Sequence, residues 1–294
     1  MDAASRREFI ASGAAVALPF AAQSASPRSG PAPRPGLLAG KRAVIYGAAG
    51  AIGSAVARAF AREGAELFLA GRTPEHVDAL AAELSKSGAR ASAAGVDALD
   101  KAAIDKHLED VVRSAGGIDI SFNLIGLGGS QGQPLTAMTR EAFAVAIDTA
   151  MRTHFLTATA AARNMRSGGV ILALTAQVAR KPYVGSGGFG VACAAIEGLW
   201  RQLAIELGPS GIRLVTLRSS GSPDAPGVAA AISEHAKAAG VSLDAFEARI
   251  AEKTMLKHMP RMAEIANAAV LAACDHASSM TATVLNCTCG EIAD

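Results

Sequence analysis

The segment Gly47-Ala48-Ala49-Gly50-Ala51-Ile52-Gly53 places small residues where a short β-type run, Ala43 to Tyr46, gives way to helical apolar spacing at Ile52, Val56, Ala59 and Phe60. Glycines at such a junction let the backbone turn sharply and approach an anion, and the helix that follows aims its positive end at it. The ligand this chemistry fits is a phosphate, above all the pyrophosphate of a dinucleotide. An ordinary tight loop has the same composition; the strand-turn-helix context favours the phosphate reading. Farther along, Tyr183 and Lys181 share one loop. A phenol works in proton transfer near neutral pH only when a nearby cation stabilises its phenolate. Thr175 ends a strand-like run, while Cys193 and His154 fall in helical segments.

The elements that must position these groups alternate along the chain. β-type runs are expected at Ala43 to Tyr46, Glu66 to Ala70, Ala91 to Val96, Ile118 to Ile125, Val170 to Thr175, Ile212 to Leu217 and Thr283 to Cys287. Helices are expected at Ile52 to Glu63, Pro74 to Ser87, Lys101 to Ser114, Arg140 to Arg166, Ala192 to Leu207 and Ala263 to Cys274, with two more between Pro223 and Lys257. Such alternation implies an α/β fold of the Rossmann type, a doubly wound parallel sheet in a single domain. Ligands of these sheets lie at the carboxyl ends of the strands.

With 294 residues, half of them hydrophobic, the chain suits one sizeable α/β domain. A net charge of +2 gives no reason to expect a nucleic-acid partner. Four cysteines do not make a disulfide framework in so long a chain, and no ligand cluster at metal-binding spacing is visible, so no metal is expected. Cys287 and Cys289 read as structural. The beginning of the chain is set apart from the fold. Ser5-Arg6-Arg7-Glu8-Phe9-Ile10 resembles a twin-arginine export motif, and a mildly apolar stretch follows from Ala11 to Ala22. The expectation is a signal peptide over 1–25, a Pro-rich linker over 26–39 and the Rossmann domain over 40–294, with a lid at 221–257. Export to a bacterial periplasm follows from that reading, with a cytoplasmic protein as the alternative and no membrane span in the mature chain.

From about residue 40 to 290 the chain resembles the short-chain dehydrogenase/reductase family. The family's TGxxxGxG pattern maps onto Tyr46 to Gly53, with Tyr46 in place of Thr and Ala51 in place of the middle Gly. Val96-Asp97 looks like the family's Asp that holds the adenine amino group. Asn123-Leu124-Ile125-Gly126 occupies the NNAG position and keeps its first Asn and its Gly. Ser210-Gly211-Ile212-Arg213-Leu214 and Pro260-Arg261-Met262-Ala263-Glu264-Ile265-Ala266 match the family's turn into the sixth strand and its last helix. The resemblance implies cofactor contacts at Gly47, Ala49, Gly50, Ala51, Ile52, Gly53, Asp97, Asn123 and Gly126. Ala70-Gly71-Arg72 ends the second strand with no acid to accept ribose hydroxyls and a guanidinium suited to a 2′-phosphate, so NADP(H) is expected ahead of NAD(H).

The family's catalytic residues are a tyrosine acid, a serine, a lysine and an asparagine. The positions aligned with them here read Phe189, Ala176, Cys193 and Ala150. The alignment is anchored by Ala194-Ala195-Ile196-Glu197-Gly198-Leu199, which continues the family's following helix. Substitutes are offered by Tyr183 as proton donor, Lys181 or Arg180 as its tuning cation, and Thr175 as a hydrogen-bond partner for a substrate oxygen. Cys193 reads as an apolar filler rather than a nucleophile, and His154 as a packed interface histidine rather than a base. The expectation is therefore an NADP(H)-dependent oxidoreductase with a non-standard active site, acting on a small apolar molecule. The alternative is a cofactor-binding module without redox turnover. The Ala-rich face of the helix from Glu141 to Arg166 resembles the family's dimer seam, so a homodimer or homotetramer is expected.

Overall fold

The computed structural model describes residues 35–129 and 131–294, apart from the side chain of Ala238. The expected signal peptide and the first part of the linker lie outside the described residues. The chain runs β1 (Arg42–Tyr46), α1 (Ala51–Arg62), β2 (Glu66–Gly71), α2 (Pro74–Lys86), β3 (Ala91–Gly95), α3 (Lys101–Ala115) and β4 (Ile118–Asn123). It continues through α4 (Arg140–Asn164), β5 (Met165–Ala176), α5 (Gly187–Leu207), β6 (Arg213–Ser219), α6 (Pro226–Ala238), α7 (Leu243–Glu252), α8 (Met262–Ala273) and β7 (Thr283–Cys287).

The strands form one parallel sheet in the order β3-β2-β1-β4-β5-β6-β7. The chain steps outward from β1 to β3 and returns to the opposite side of β1 with β4, so the reversal point lies between β1 and β4. Tyr46 and Asn123, the last residues of these two strands, are register partners. That crevice is where an open α/β sheet receives its ligand.

Both faces of the sheet are covered, which is why its strands read as near-continuous apolar runs. Ala43 and Ile45 of β1 point into a core shared with Phe60 of α1 and Ile265 of α8, whereas Val44 and Tyr46 point into another with Ile104 and Leu108 of α3. A third cluster joins α4, α5, β5 and β6 around Trp200, whose indole N–H donates to the Ile171 carbonyl at 3.3 Å. Helix α5 starts at Gly187, earlier than the apolar spacing predicts. A Cβ at Gly188 would lie 1.9 Å from the carbonyl oxygen of Phe143 in α4, so the first turn of α5 forms only where a side chain is missing. The segment 221–257 carries two helices, α6 and α7. Among the described residues no helix is long and apolar enough to cross a membrane.

Candidate functional site

The loop leaving β1 is shaped by two glycines. Gly47 has φ +70°, and a Cβ there would meet the Leu124 carbonyl oxygen at 2.7 Å. A Cβ on Gly53 would come within 2.2 Å of the Gly47 carbonyl oxygen. The second contact lets α1 start directly against the strand. Gly50 is the N-cap of α1 and has no side chain to cap the helix, and the first turn carries no acid. The Ser54 amide, bonded to the Gly50 carbonyl at 2.8 Å, opens the intrahelical ladder. The amides of Ala51, Ile52 and Gly53 precede it at the positive end of the helix, where a phosphate is stabilised. Ala49 is exposed beside them. These residues fit a dinucleotide pyrophosphate.

The Ala48 amide donates to the Ala70 carbonyl at 3.2 Å, which ties this loop to the end of β2. Arg72 follows there, exposed, and forms no ion pair among the described residues. Asp97 is exposed after β3; its Oδ1 accepts from the Leu99 amide at 3.0 Å, leaving its other oxygen for a ligand. Asn123 is buried, its amide donating to Thr157 Oγ1 at 3.1 Å and its Oδ1 accepting from the Ile125 amide at 3.0 Å. Its polar groups shape the floor of the crevice. Gly126 is exposed, and a Cβ there would meet nothing within 4 Å, so the fold itself does not require that glycine.

Ala150, Ala176, Phe189 and Cys193 converge on one apolar cluster with Ala146, Val178 and Ala192. Burial pushes the Cys193 thiol up to about 12, so it stays protonated and packs as an apolar group. His154 is fully buried, edge-on to Trp200 at 5.1 Å, and burial pushes it down to about 3. It is a neutral packing group at physiological pH.

Thr175, Lys181 and Tyr183 each have a different hydrogen-bond partner. Thr175 is buried, and its hydroxyl donates to Glu197 Oε1 at 3.0 Å. That hydroxyl is engaged inside the protein, on the α5 side of β5. Lys181 Nζ lies 3.4 Å from Glu291 Oε1, a partner supplied by the segment after β7. Tyr183 instead donates to Gln131 Oε1 at 3.1 Å and meets the His235 ring edge-on at 6.2 Å. Its hydroxyl is pushed up, first by burial and then by the carboxylate of Glu291. The Lys181 ammonium is thus paired with Glu291, and the Tyr183 hydroxyl with Gln131. Arg180 is exposed.

Sequence reasoning missed three features of this edge of the sheet. Glu197 and Arg218 form a buried pair beneath Thr175. Gln131 is the partner of Tyr183, reached through a loop pinned by the Gly132 amide on the Gly185 carbonyl at 2.7 Å. Ser222, after β6, is fully buried with no hydrogen-bond partner for its hydroxyl among the described residues. Ser222 stands in the polar turn Ser219-Ser220-Gly221-Ser222-Pro223-Asp224, where nothing in the sequence sets it apart.

A family model described as enoyl-(acyl carrier protein) reductase matches residues 47–291. An enoyl-[acyl-carrier-protein] reductase [NADH] of Rhizobium meliloti (strain 1021) is 35% identical over 188 residues, 61% of this chain and 67% of that protein. A short chain dehydrogenase from Burkholderia cenocepacia, solved in complex with NADP, superposes with a TM-score of 0.72 at 24% identity, covering 87% of this chain and 99% of that one. NAD+-bound xylitol dehydrogenase superposes with a TM-score of 0.78 at 22% identity, covering 85% and 98%. The two superpositions speak for the fold, and the family match extends over nearly all the described residues. The chain belongs to the short-chain dehydrogenase/reductase family, whose members bind nicotinamide cofactors.

Proposed function

We propose that this protein is an NADP(H)-binding oxidoreductase whose active site lacks the family's acid–base set and holds a small, apolar substrate. The observation that carries the reading is the convergence of Ala150, Ala176, Phe189 and Cys193 on one apolar cluster beside an intact dinucleotide cradle. When bound, the nicotinamide supplies a hydride. What the chain's own residues do is position and exclude water, which is most of what hydride transfer asks of a protein. Phe189 has no proton to give, and Cys193 keeps its own. A substrate that needs little help from a protein acid, such as an activated alkene, suits these walls. The enoyl reductase description of the family model supports that class.

Arg72 supports NADP(H) over NAD(H), because an unpaired guanidinium at the end of β2 fits a 2′-phosphate. Tyr183 acts in this proposal as a neutral hydrogen-bond donor at the rim, with Gln131 as its resting partner. Thr175 and Lys181 contribute indirectly, through the buried Glu197 pair and the Glu291 contact. The second reading, a binding module without redox turnover, is favoured by the same vacant positions. Titration with NADPH and NADH, followed by a substrate screen, separates the two. Tight NADPH binding with turnover of an activated alkene supports the first; binding without turnover of any substrate supports the second; no binding removes both.

Two further expectations remain part of the proposal. Exposed Val145 and Phe155 on α4 support a helix-paired homodimer or homotetramer; a monomer in light scattering overturns it. Arg6-Arg7 before Phe9 supports twin-arginine export. Replacing both arginines by lysine then leaves the protein in the cytoplasmic fraction, and unchanged periplasmic recovery overturns the assignment.

A further inference from the structure

His258, Glu264 and Cys289 come from three separate elements and meet at the surface. His258 lies in the loop after α7, Glu264 in the first turn of α8, and Cys289 in the turn after β7. A ring nitrogen of His258, the sulfur of Cys289 and a carboxylate oxygen of Glu264 all lie within 4.8 Å of one another. Nδ1 of His258 is 3.7 Å from Cys289 Sγ. A tetrahedral zinc ion with bonds of about 2.3 Å to sulfur and about 2.05 Å to nitrogen holds those two donors about 3.6 Å apart. The spacing found is the edge of such a coordination tetrahedron.

The backbone keeps the donors in place before any ion arrives. Cys289 sits at φ +53°, a conformation uncommon for a residue with a side chain. The Leu256 amide donates to the Cys289 carbonyl at 3.0 Å, and Gly290 packs so tightly on Met255 that a Cβ would lie 2.6 Å away. Glu264 is fixed by the Arg261 amide, which donates to its Oε2 at 2.7 Å, leaving Oε1 available. His258 Nδ1 also lies 3.1 Å from the Met259 carbonyl oxygen, a hydrogen bond that an ion at Nδ1 would replace. His258 lines a cavity of about 280 Å³ whose walls include Asp244, Glu247, Lys257 and Arg261. The carboxylates among these offset the charge of the two basic residues beside an incoming cation.

We propose that His258, Glu264 and Cys289 form a binding site for a divalent transition-metal ion of the zinc class. One soft thiolate, one imidazole and one carboxylate select such an ion over Mg2+ or Ca2+, which take oxygen donors. On binding, the thiol of Cys289 gives its proton to the buffer and the ring proton of His258 moves to Nε2, so that Nδ1 and Sγ both donate to the metal. The fourth position is left for water or an outside ligand. Because the three donors join the lid's exit, the last helix and the turn after β7, the ion acts as a clamp on the end of the lid. It has no part in the hydride chemistry proposed above, and its test is independent of nucleotide.

The test is anaerobic titration of the reduced full chain with Co2+, then with Zn2+. Wild type and Cys287→Ser develop a thiolate-to-cobalt charge-transfer band that Zn2+ chases, and Zn2+ raises their melting temperature. Cys289→Ser and His258→Ala show no band and no Zn2+-dependent shift, while their circular dichroism matches wild type. Glu264→Gln, which keeps the contact to the Arg261 amide, binds Co2+ more weakly and serves as the reading if a ligand variant does not fold. No band in the reduced wild type, a band that survives Cys289→Ser, or one abolished by Cys287→Ser overturns the site.

Discussion

Glu197 holds Arg218 through both carboxylate oxygens, Oε1 2.9 Å from Nε and Oε2 2.9 Å from Nη2, with 4% and 2% of the two side chains exposed. The pair joins α5 to β6, and Thr175 of β5 adds its hydroxyl to Oε1. Asp294 takes a further guanidinium nitrogen. A planar cation held by two carboxylates in this way has its charge balanced, which is why it is tolerated in the interior.

Removing one member therefore strands the other. Arg218→Met is expected to destabilise the fold by about 3–5 kcal/mol, read as a lower midpoint in urea unfolding. Replacing both residues with apolar ones of similar size recovers most of that loss. A single variant as stable as wild type contradicts the buried pairing.

Arg72→Ala is expected to weaken NADPH binding by roughly 10- to 100-fold and to leave NADH binding within about twofold, since only the 2′-phosphate is lost as a partner. Parallel titrations of the two cofactors measure it. Equal losses for both would assign Arg72 another role.

Gly53→Val fills the space between the loop and α1, where even a Cβ lies 2.2 Å from the Gly47 carbonyl. Nicotinamide dinucleotide binding is expected to disappear, with a stability loss of about 1–3 kcal/mol from overpacking. Calorimetric titration alongside thermal melting separates the two effects.

Tyr183→Phe removes the hydroxyl donated to Gln131 and leaves the ring against His235. With its hydroxyl on Gln131 and its titration pushed up by burial, the phenol is expected to contribute binding and not acid–base power. KM for the reducible substrate should rise a few-fold, by roughly 0.5–1.5 kcal/mol of binding, with kcat nearly unchanged. A large fall in kcat would restore Tyr183 as the acid.

Acid should destabilise the fold through its buried histidines. His154 and His107 are pushed by burial from 6.5 down to about 3 and about 4. The unfolded chain takes up these protons at higher pH than the folded one. Stability is therefore full above pH 6.5 and falls as pH drops toward those folded values, by up to about 1.4 kcal/mol per pH unit for each histidine. Urea unfolding at pH 5 and 7 gives the slope, and His154→Phe should flatten it.

The parallel sheet was legible because its strands carry uninterrupted apolar runs and its helices a clear apolar spacing. Thr283 to Cys287 matched to the residue. Helix α5 was missed at its start because Gly187-Gly188 resembles a loop until the approach of Phe143 gives those glycines a reason. The nucleotide cradle was legible for a local reason, with loop, strand end and helix start contiguous in sequence. The residues around Tyr183 were not, since Lys181 finds its partner 110 positions away in Glu291. Nor were His258 and Cys289, 31 apart with no motif between them, which only the fold brings together.

Gly188 has a consequence for the apolar cluster between α4 and α5. Helices α4 and α5 carry Ala150, Phe189 and Cys193, and they can approach this closely only because position 188 has no methyl group. An alanine there would act as a spacer between the two helices, and the first positions to feel it would be the apolar side chains of Ala150, Phe189 and Cys193. The spacing of the two helices is in this sense set by an atom the protein does without.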